Sequence, residues 1–127
     1  MTRTNYSSGL PLEDQIGYSR AVKVGSRIYT SPTAPVDENL IPQGTNGAEQ
    51  TEIILQRLQA TFEEAGFTFD DVVAVTIYVT DDPRTEGIYG VFSKYFINVR
   101  PTIAVVNVRP WAHPDLLVEI SLVGDRG

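Results

Sequence analysis

Residues Ala48–Thr80 read "AEQTEIILQRLQATFEEAGFTFDDVVAVTIYVT", and a change of period inside this stretch decides the fold. Ala48, Thr51, Leu55, Leu58, Phe62 and Ala65 recur at three- and four-residue spacing, while Glu49, Glu52, Gln56, Gln59 and Glu63 fall on other faces. That pattern predicts an amphipathic helix, stopped at Gly66. The run that follows, Asp70–Thr80, is dense in β-branched residues and too apolar to leave either face fully wet. It predicts a strand.

Upstream, "GYSRAVKVGSRIYTSPTAP" holds two short strand-like runs, Tyr18–Val24 and Arg27–Thr33. Gly25-Ser26 between them is a two-residue hairpin signal, and Pro32 and Pro35 end the second run. "VDENLIPQGTNG" reads as a polar loop. Downstream, Asp82 is a candidate N-cap with Pro83 at the first helical position. Ile88, Phe92, Tyr95 and Phe96 supply that second helix with an apolar stripe, weakened by Gly87 and Gly90. Two further runs, Thr102–Val108 and Leu116–Val123, flank "RPWAHPD". The predicted order is β-β-α-β-α-β-β, an α+β domain spanning residues 1–127, with the two helices on one face of a sheet. The opposite face carries too many Val, Ile and Tyr for water, which predicts a homo-oligomer.

Composition narrows the chemistry. With 127 residues and 42% hydrophobic content, the chain fits one domain with a single core. It has no Cys, so disulfide and thiolate chemistry are excluded. The single His, His113, would need carboxylates to complete a metal shell, and neither a metal nor a cofactor is expected. Ten basic residues are scattered among sixteen acids, a net charge of −6, which disfavours nucleic acid as a partner. No apolar stretch approaches bilayer length, so a soluble, cytoplasmic protein is expected.

Candidate functional residues follow from what is out of place. Glu119 sits inside the apolar run Leu116–Leu122, whereas Thr102–Val108 has no charge. Alternation puts Glu119 with Leu117 and Ser121, opposite Val118 and Ile120. It is either a solvent-facing strand residue or a carboxylate in a cleft, where burial would raise its pKa toward neutrality. Tyr18 and Ser31 lie one on each arm of the hairpin. Arg109 beside Trp111 could bind a planar anion by charge and stacking, although Trp111 could equally pack at a subunit seam. No Ser-His-Asp arrangement and no phosphate-binding glycine loop is present.

Four stretches, "GYSRAVKVGSRIYTSPTAP", "EQTEIILQRLQATFEEAGFTFDDVVAVTIYVTD", "RPTIAVVNV" and "LLVEISLV", together resemble the Rid family, the YjgF-type or L-PSP reactive intermediate (imine) deaminases. The resemblance runs from about Ile16 to Val123. It implies a chorismate-mutase-like α+β sandwich assembled as a homotrimer, with a central barrel of sheets and small-molecule clefts between subunits. It also implies that Glu119 is the carboxylate that activates water to hydrolyse enamines or imines to 2-oxoacids and ammonia. Tyr18 and Ser31 fall on the family's cleft tyrosine and strand-end serine.

The departures are specific. Ile103 stands where the family's deaminases carry the Arg that clamps the substrate carboxylate, Val105 where a small residue follows it, and Tyr89 at a helix position usually Asn. Ser31-Pro32 replaces a Ser-Gly pair. Losing a bidentate Arg contact of about 1.5–3 kcal/mol would weaken binding about ten- to hundred-fold, unless Arg109, Arg100 or Arg20 supplies the charge. The resemblance therefore implies an arginine-lacking enzyme acting on a small enamine, imine or conjugated amino-acid-derived metabolite. An aminomuconate-type intermediate is one substrate class of the broader family. Glu119 and Tyr18 would do the chemistry, with Ser31, Tyr89, Ile103, Val105, Asn107, Arg109 and Trp111 around the ligand. A metabolite-binding trimer without turnover is the alternative, and ribonuclease or translation inhibition, the activity behind the family's older name, is disfavoured by charge.

Overall fold

The computed structural model describes residues 2–127. Six strands form one mixed sheet: β1 (Arg3–Tyr6), β2 (Ala21–Val24), β3 (Arg27–Thr30), β4 (Val72–Val79), β5 (Thr102–Asn107) and β6 (Val118–Asp125). Their order across the sheet is β1-β2-β3-β6-β4-β5, antiparallel except for the parallel β4–β5 pair. Three helices accompany them, α1 (Pro11–Ile16), α2 (Gly47–Glu64) and α3 (Ile88–Phe96).

The predicted elements are all present, and α2 and α3 do share one face of the sheet, packed on its core residues. Asn46 caps α2 by accepting from the Glu49 N–H, and Gly66 leaves it at φ +83°, where a side chain would be strained. Ile54, Leu55, Leu58 and Phe62 of α2 are fully buried against Ile28, Val75, Ile77, Val118, Ile120 and Leu122. Phe69, Phe92 and Phe96 join α3 to the same core through ring contacts of 4.8–5.0 Å. Lys23 also points to the helix side, where its ammonium donates to the Ala65 carbonyl at 2.9 Å and complements the C-terminal end of α2.

Three details differ from expectation. β1 and α1 precede the elements expected from the pattern: "RTNY" alternates no apolar residues, and α1 is too short to show a helical stripe. The helix expected from Pro83 is instead a 3-10 turn, Pro83–Thr85, capped by Asp82, and α3 begins only after Gly87, whose φ of +90° breaks the path. The expected strands Tyr18–Val24 and Arg27–Thr33 are shorter, as β2 (Ala21–Val24) and β3 (Arg27–Thr30), although the backbone of Arg20 still accepts from the Ser31 N–H at 2.9 Å; Pro32 has no N–H to extend the ladder.

The sheet's second face has no helix over it. Register places Val22, Val24, Tyr29, Tyr78, Val106 and Val123 there, and every residue of the edge strand β5 is exposed.

Candidate functional site

Glu119 lies on the uncovered face of β6, directly opposite Tyr78 of β4. Val118 and Ile120 on either side of it are fully buried under α2, as the alternation requires. Two features wall it in. The hairpin exit brings Pro32 beside it, and the loop Arg109–Asp115 returns over it with Trp111.

That loop is tied down at its far end. Gln50, fully buried on α2, donates from Nε2 to the Asp115 carbonyl at 2.7 Å, and its Oε1 accepts from the Leu117 N–H at 3.0 Å. Arg84 in the 3-10 turn donates to the Asp115 carboxylate at 2.9 Å and to the Pro114 carbonyl at 3.2 Å. His113 stays within the loop, its Nδ1 accepting from the Asp115 N–H. A helix residue thus fixes the frame from which Trp111 projects.

Two cavities meet at Glu119, Pro32 and Trp111. The smaller, about 370 Å³, is completed by Tyr78, Val108 and Arg109. The larger, about 620 Å³, extends past Tyr18 and Arg20 toward α1 and α2. Burial pushes the Glu119 carboxyl above its ordinary 4.5, while donation from the Trp111 indole and the charge of Arg20 pull more weakly the other way.

Arg20 is 7% exposed and held by three groups of the hairpin. Its Nη1 donates to the Pro32 carbonyl at 3.0 Å and the Thr33 hydroxyl at 3.2 Å, and its Nη2 to the Tyr18 hydroxyl at 3.4 Å. Behind it, Glu13 of α1 is buried with Oε2 3.7 Å from Nη2. Burial would raise Glu13, but the Ser8 and Ser7 hydroxyls, the Ser8 N–H and Arg20 outweigh it and hold the carboxyl below 4.5. It is the charge of Arg20 that acts on Glu119 across the larger cavity.

The residues expected at the site divide cleanly. Tyr18, Arg109 and Trp111 line the cavities with Glu119. Ser31 does not line either one: its hydroxyl is spent on the Ser19 carbonyl at 2.7 Å. Tyr89 projects into solvent from the first turn of α3. Ile103, Val105 and Asn107 pair in register with Val75, Ile77 and Val79, so they share the helix-side face and point away from Glu119 of the same chain. The apolar wall expected from Ile103 and Val105 is thus absent within one chain, and Trp111 and Pro32 provide it instead. Sequence pattern gave no sign of Tyr78 or Glu13, whose roles depend on cross-strand register and on the α1 turn. Among residues 2–127, no three of His, Cys, Asp and Glu converge to hold a metal ion.

The chain matches the family model described as endoribonuclease L-PSP over residues 11–124. It is 36% identical over 110 residues to a RutC family protein, SSO3206, of Saccharolobus solfataricus, covering 86% of each chain. Among solved structures it is similar to Rv2704 from Mycobacterium tuberculosis, a member of the YjgF/YER057c/UK114 family. There the TM-score is 0.86 and the identity 35%, with 98% of this chain and 99% of that one covered. At 24% identity and a TM-score of 0.74, the fold also matches E. coli TdcF with bound serine, over 87% of this chain and 88% of that one.

Proposed function

The chain belongs to the endoribonuclease L-PSP family, which includes YjgF-type Rid proteins, and from that premise we propose that it hydrolyses small enamines or imines to carbonyl compounds and ammonia. The observation that carries the reading is Glu119: a half-buried acid at the meeting point of two cavities, its carboxyl raised by burial. In its neutral form it protonates the enamine carbon and leaves an iminium ion. The resulting carboxylate then takes a proton from water as the oxygen adds to the C=N carbon. The carbinolamine collapses as Glu119, neutral again, gives its proton to the nitrogen and takes one from the hydroxyl, breaking the C–N bond and releasing ammonia. Tyr18 and Trp111 border the ligand, and Trp111 keeps bulk water off the acid. The serine bound to the relative TdcF supports a small amino-acid-derived ligand.

The proposed assembly is a homotrimer. It would cover the apolar sheet face bearing Val22, Tyr29, Tyr78 and Val106, and it would let β5 of one subunit approach Glu119 of the next. The substrate is a small molecule. The net charge of −6 argues against a nucleic acid. No helix among the described residues is long and apolar enough to cross a membrane.

The test is ammonia release from freshly generated imines and enamines. Turnover should be weak on 2-aminoacrylate, because Ile103 supplies no carboxylate clamp, and Glu119→Gln should abolish whatever activity is found. Activity untouched by Glu119→Gln removes the acid/base role. Ile103 also favours a second reading, a metabolite-binding trimer without turnover, for which ligand-induced thermal shifts would survive Glu119→Gln.

A further inference from the structure

Three arginines line the two cavities that meet at Glu119, and they are not equivalent: Arg57, in the larger one, donates to the Ala34 and Val36 carbonyls. Arg109 borders the smaller cavity from an exposed loop position, whereas Arg20 is nine-tenths buried in the wall of the larger one. The two terminal nitrogens of the Arg20 guanidinium are held unequally. Nη1 is fully engaged by the Pro32 carbonyl and the Thr33 hydroxyl. Nη2 has only the Tyr18 hydroxyl at 3.4 Å and Glu13 at 3.7 Å, beyond hydrogen-bonding distance. Glu13 Oε2 is itself occupied, accepting from the Ser8 hydroxyl at 2.5 Å and the Ser8 N–H at 3.2 Å. A buried guanidinium oriented by one edge, with its other edge weakly partnered, is an anion-binding group.

The cavity beyond it has the size of a ligand site, about 620 Å³. Away from Arg20 and Glu119 its wall carries the aliphatic Leu12, Val36, Leu40 and Leu58, with the charged Asp37, Glu38 and Arg57 also on its lining.

We propose that Arg20 binds the substrate carboxylate through Nη2, and that the aliphatic wall receives an apolar side chain, so that the substrates are 2-imino or 2-enamino acids with branched or extended hydrocarbon side chains. This assignment rests on the deaminase reading of Glu119 and names its substrate class. Glu13 then acts as a competitor for Arg20. It neutralises the buried cation when the site is free, and it yields Nη2 when a carboxylate arrives.

The experiment measures binding without turnover. 4-Methyl-2-oxopentanoate and its amide are titrated against the full chain, following the fluorescence of Trp111, the single tryptophan and a residue of both cavities. The acid should bind at least about ten-fold more tightly than the amide, the value of one charge-assisted contact. Arg20→Gln should erase that preference, and in Arg109→Gln it should survive. Replacing the acid by 2-oxobutanoate should weaken binding by about three- to four-fold for each methylene removed. Glu13→Gln should tighten acid binding several-fold, a gain that a purely structural Arg20 would not produce. If Arg20→Gln does not fold, Glu13→Gln decides alone, and unchanged acid affinity in it overturns the proposal. An acid preference that survives Arg20→Gln, or is lost in Arg109→Gln, overturns it as well. A chain that binds acids through Arg20 but releases no ammonia removes the deaminase reading and keeps the anion site. Ammonia release from 2-imino acids and their amides alike, indifferent to Arg20, does the reverse.

Discussion

Glu119 and Ile103 lie on opposite faces of one sheet. Glu119 pairs with Tyr78 on the uncovered face, while Ile103 pairs with Val75 on the helix side, two strands from Glu119. No side-chain rearrangement within a subunit brings them together, because strand alternation separates them. If the family's clamp position works with this acid, it does so across a subunit boundary.

Subunit mixing tests that geometry. Ile103→Arg should raise turnover of 2-aminoacrylate about ten- to hundred-fold by supplying a charge-assisted contact. The double variant Ile103→Arg, Glu119→Gln has the arginine at position 103 but no acid, and the unaltered chain has the acid but no arginine at position 103. Co-refolded mixtures of these two should exceed either parent in ammonia release. A mixture no more active than its parents would place the two positions in separate sites.

The Glu119 carboxyl makes stability depend on pH with a definite sign. Burial raises it in the folded state above the 4.5 of the unfolded chain, so the folded state binds the proton more tightly. Its contribution is therefore complete below 4.5 and is lost as pH rises through the folded value. Glu119→Gln carries no such charge. In thermal melts from below 4.5 to neutrality, the variant should gain on the unaltered chain as pH rises. Glu13 has the opposite sign: its lowered carboxyl contributes above 4.5, and that contribution is lost as pH falls through the folded value.

Much of this architecture was legible in the sequence, for a physical reason. Helix α2 and strands β4 and β6 bury continuous apolar surface, so their residue types repeat with the period of the element. Gly25-Ser26 marked the β2–β3 turn because a two-residue hairpin needs a permissive residue there, and Gly25 has φ +59°. What stayed hidden depends on polar contacts between distant segments. Glu13 is buried by Ser8 and Arg20, and Arg20 by Pro32 and Thr33, and no periodicity encodes such pairs. Glu119 was conspicuous as a charge in an apolar run. Its neighbour Tyr78 was not, since only the register between β4 and β6 brings them together.

Gln50 should be the polar residue whose loss costs most stability. It satisfies the Leu117 N–H and the Asp115 carbonyl from a fully buried position. Gln50→Leu keeps the approximate volume but strands both groups, at about 1–3 kcal/mol each. Urea unfolding should show a loss of about 2–4 kcal/mol, and Trp111 emission should shift as its loop loosens. Gln50→Glu, which keeps the acceptor for Leu117 but loses the donor to Asp115, should fall between.

Two glycine substitutions should move stability in opposite directions. Gly124 faces the core from β6, where an added Cβ would stand 2.8 Å from Ile28 Cγ2 and 3.0 Å from Phe62 Cε2. Both neighbours are fully buried and cannot withdraw, so Gly124→Ala should cost about 1–3 kcal/mol through overpacking. Gly90 lies within α3 with no atom within 4 Å of the position a Cβ would take. There an alanine restricts the unfolded chain and favours the helix, and Gly90→Ala should stabilise by about 0.5–1 kcal/mol. Chemical denaturation of the two variants beside the unaltered chain checks both signs. A Gly90→Ala variant that unfolds more readily would mean that the exposed start of α3 is covered by another subunit, where the added methyl is not in open space.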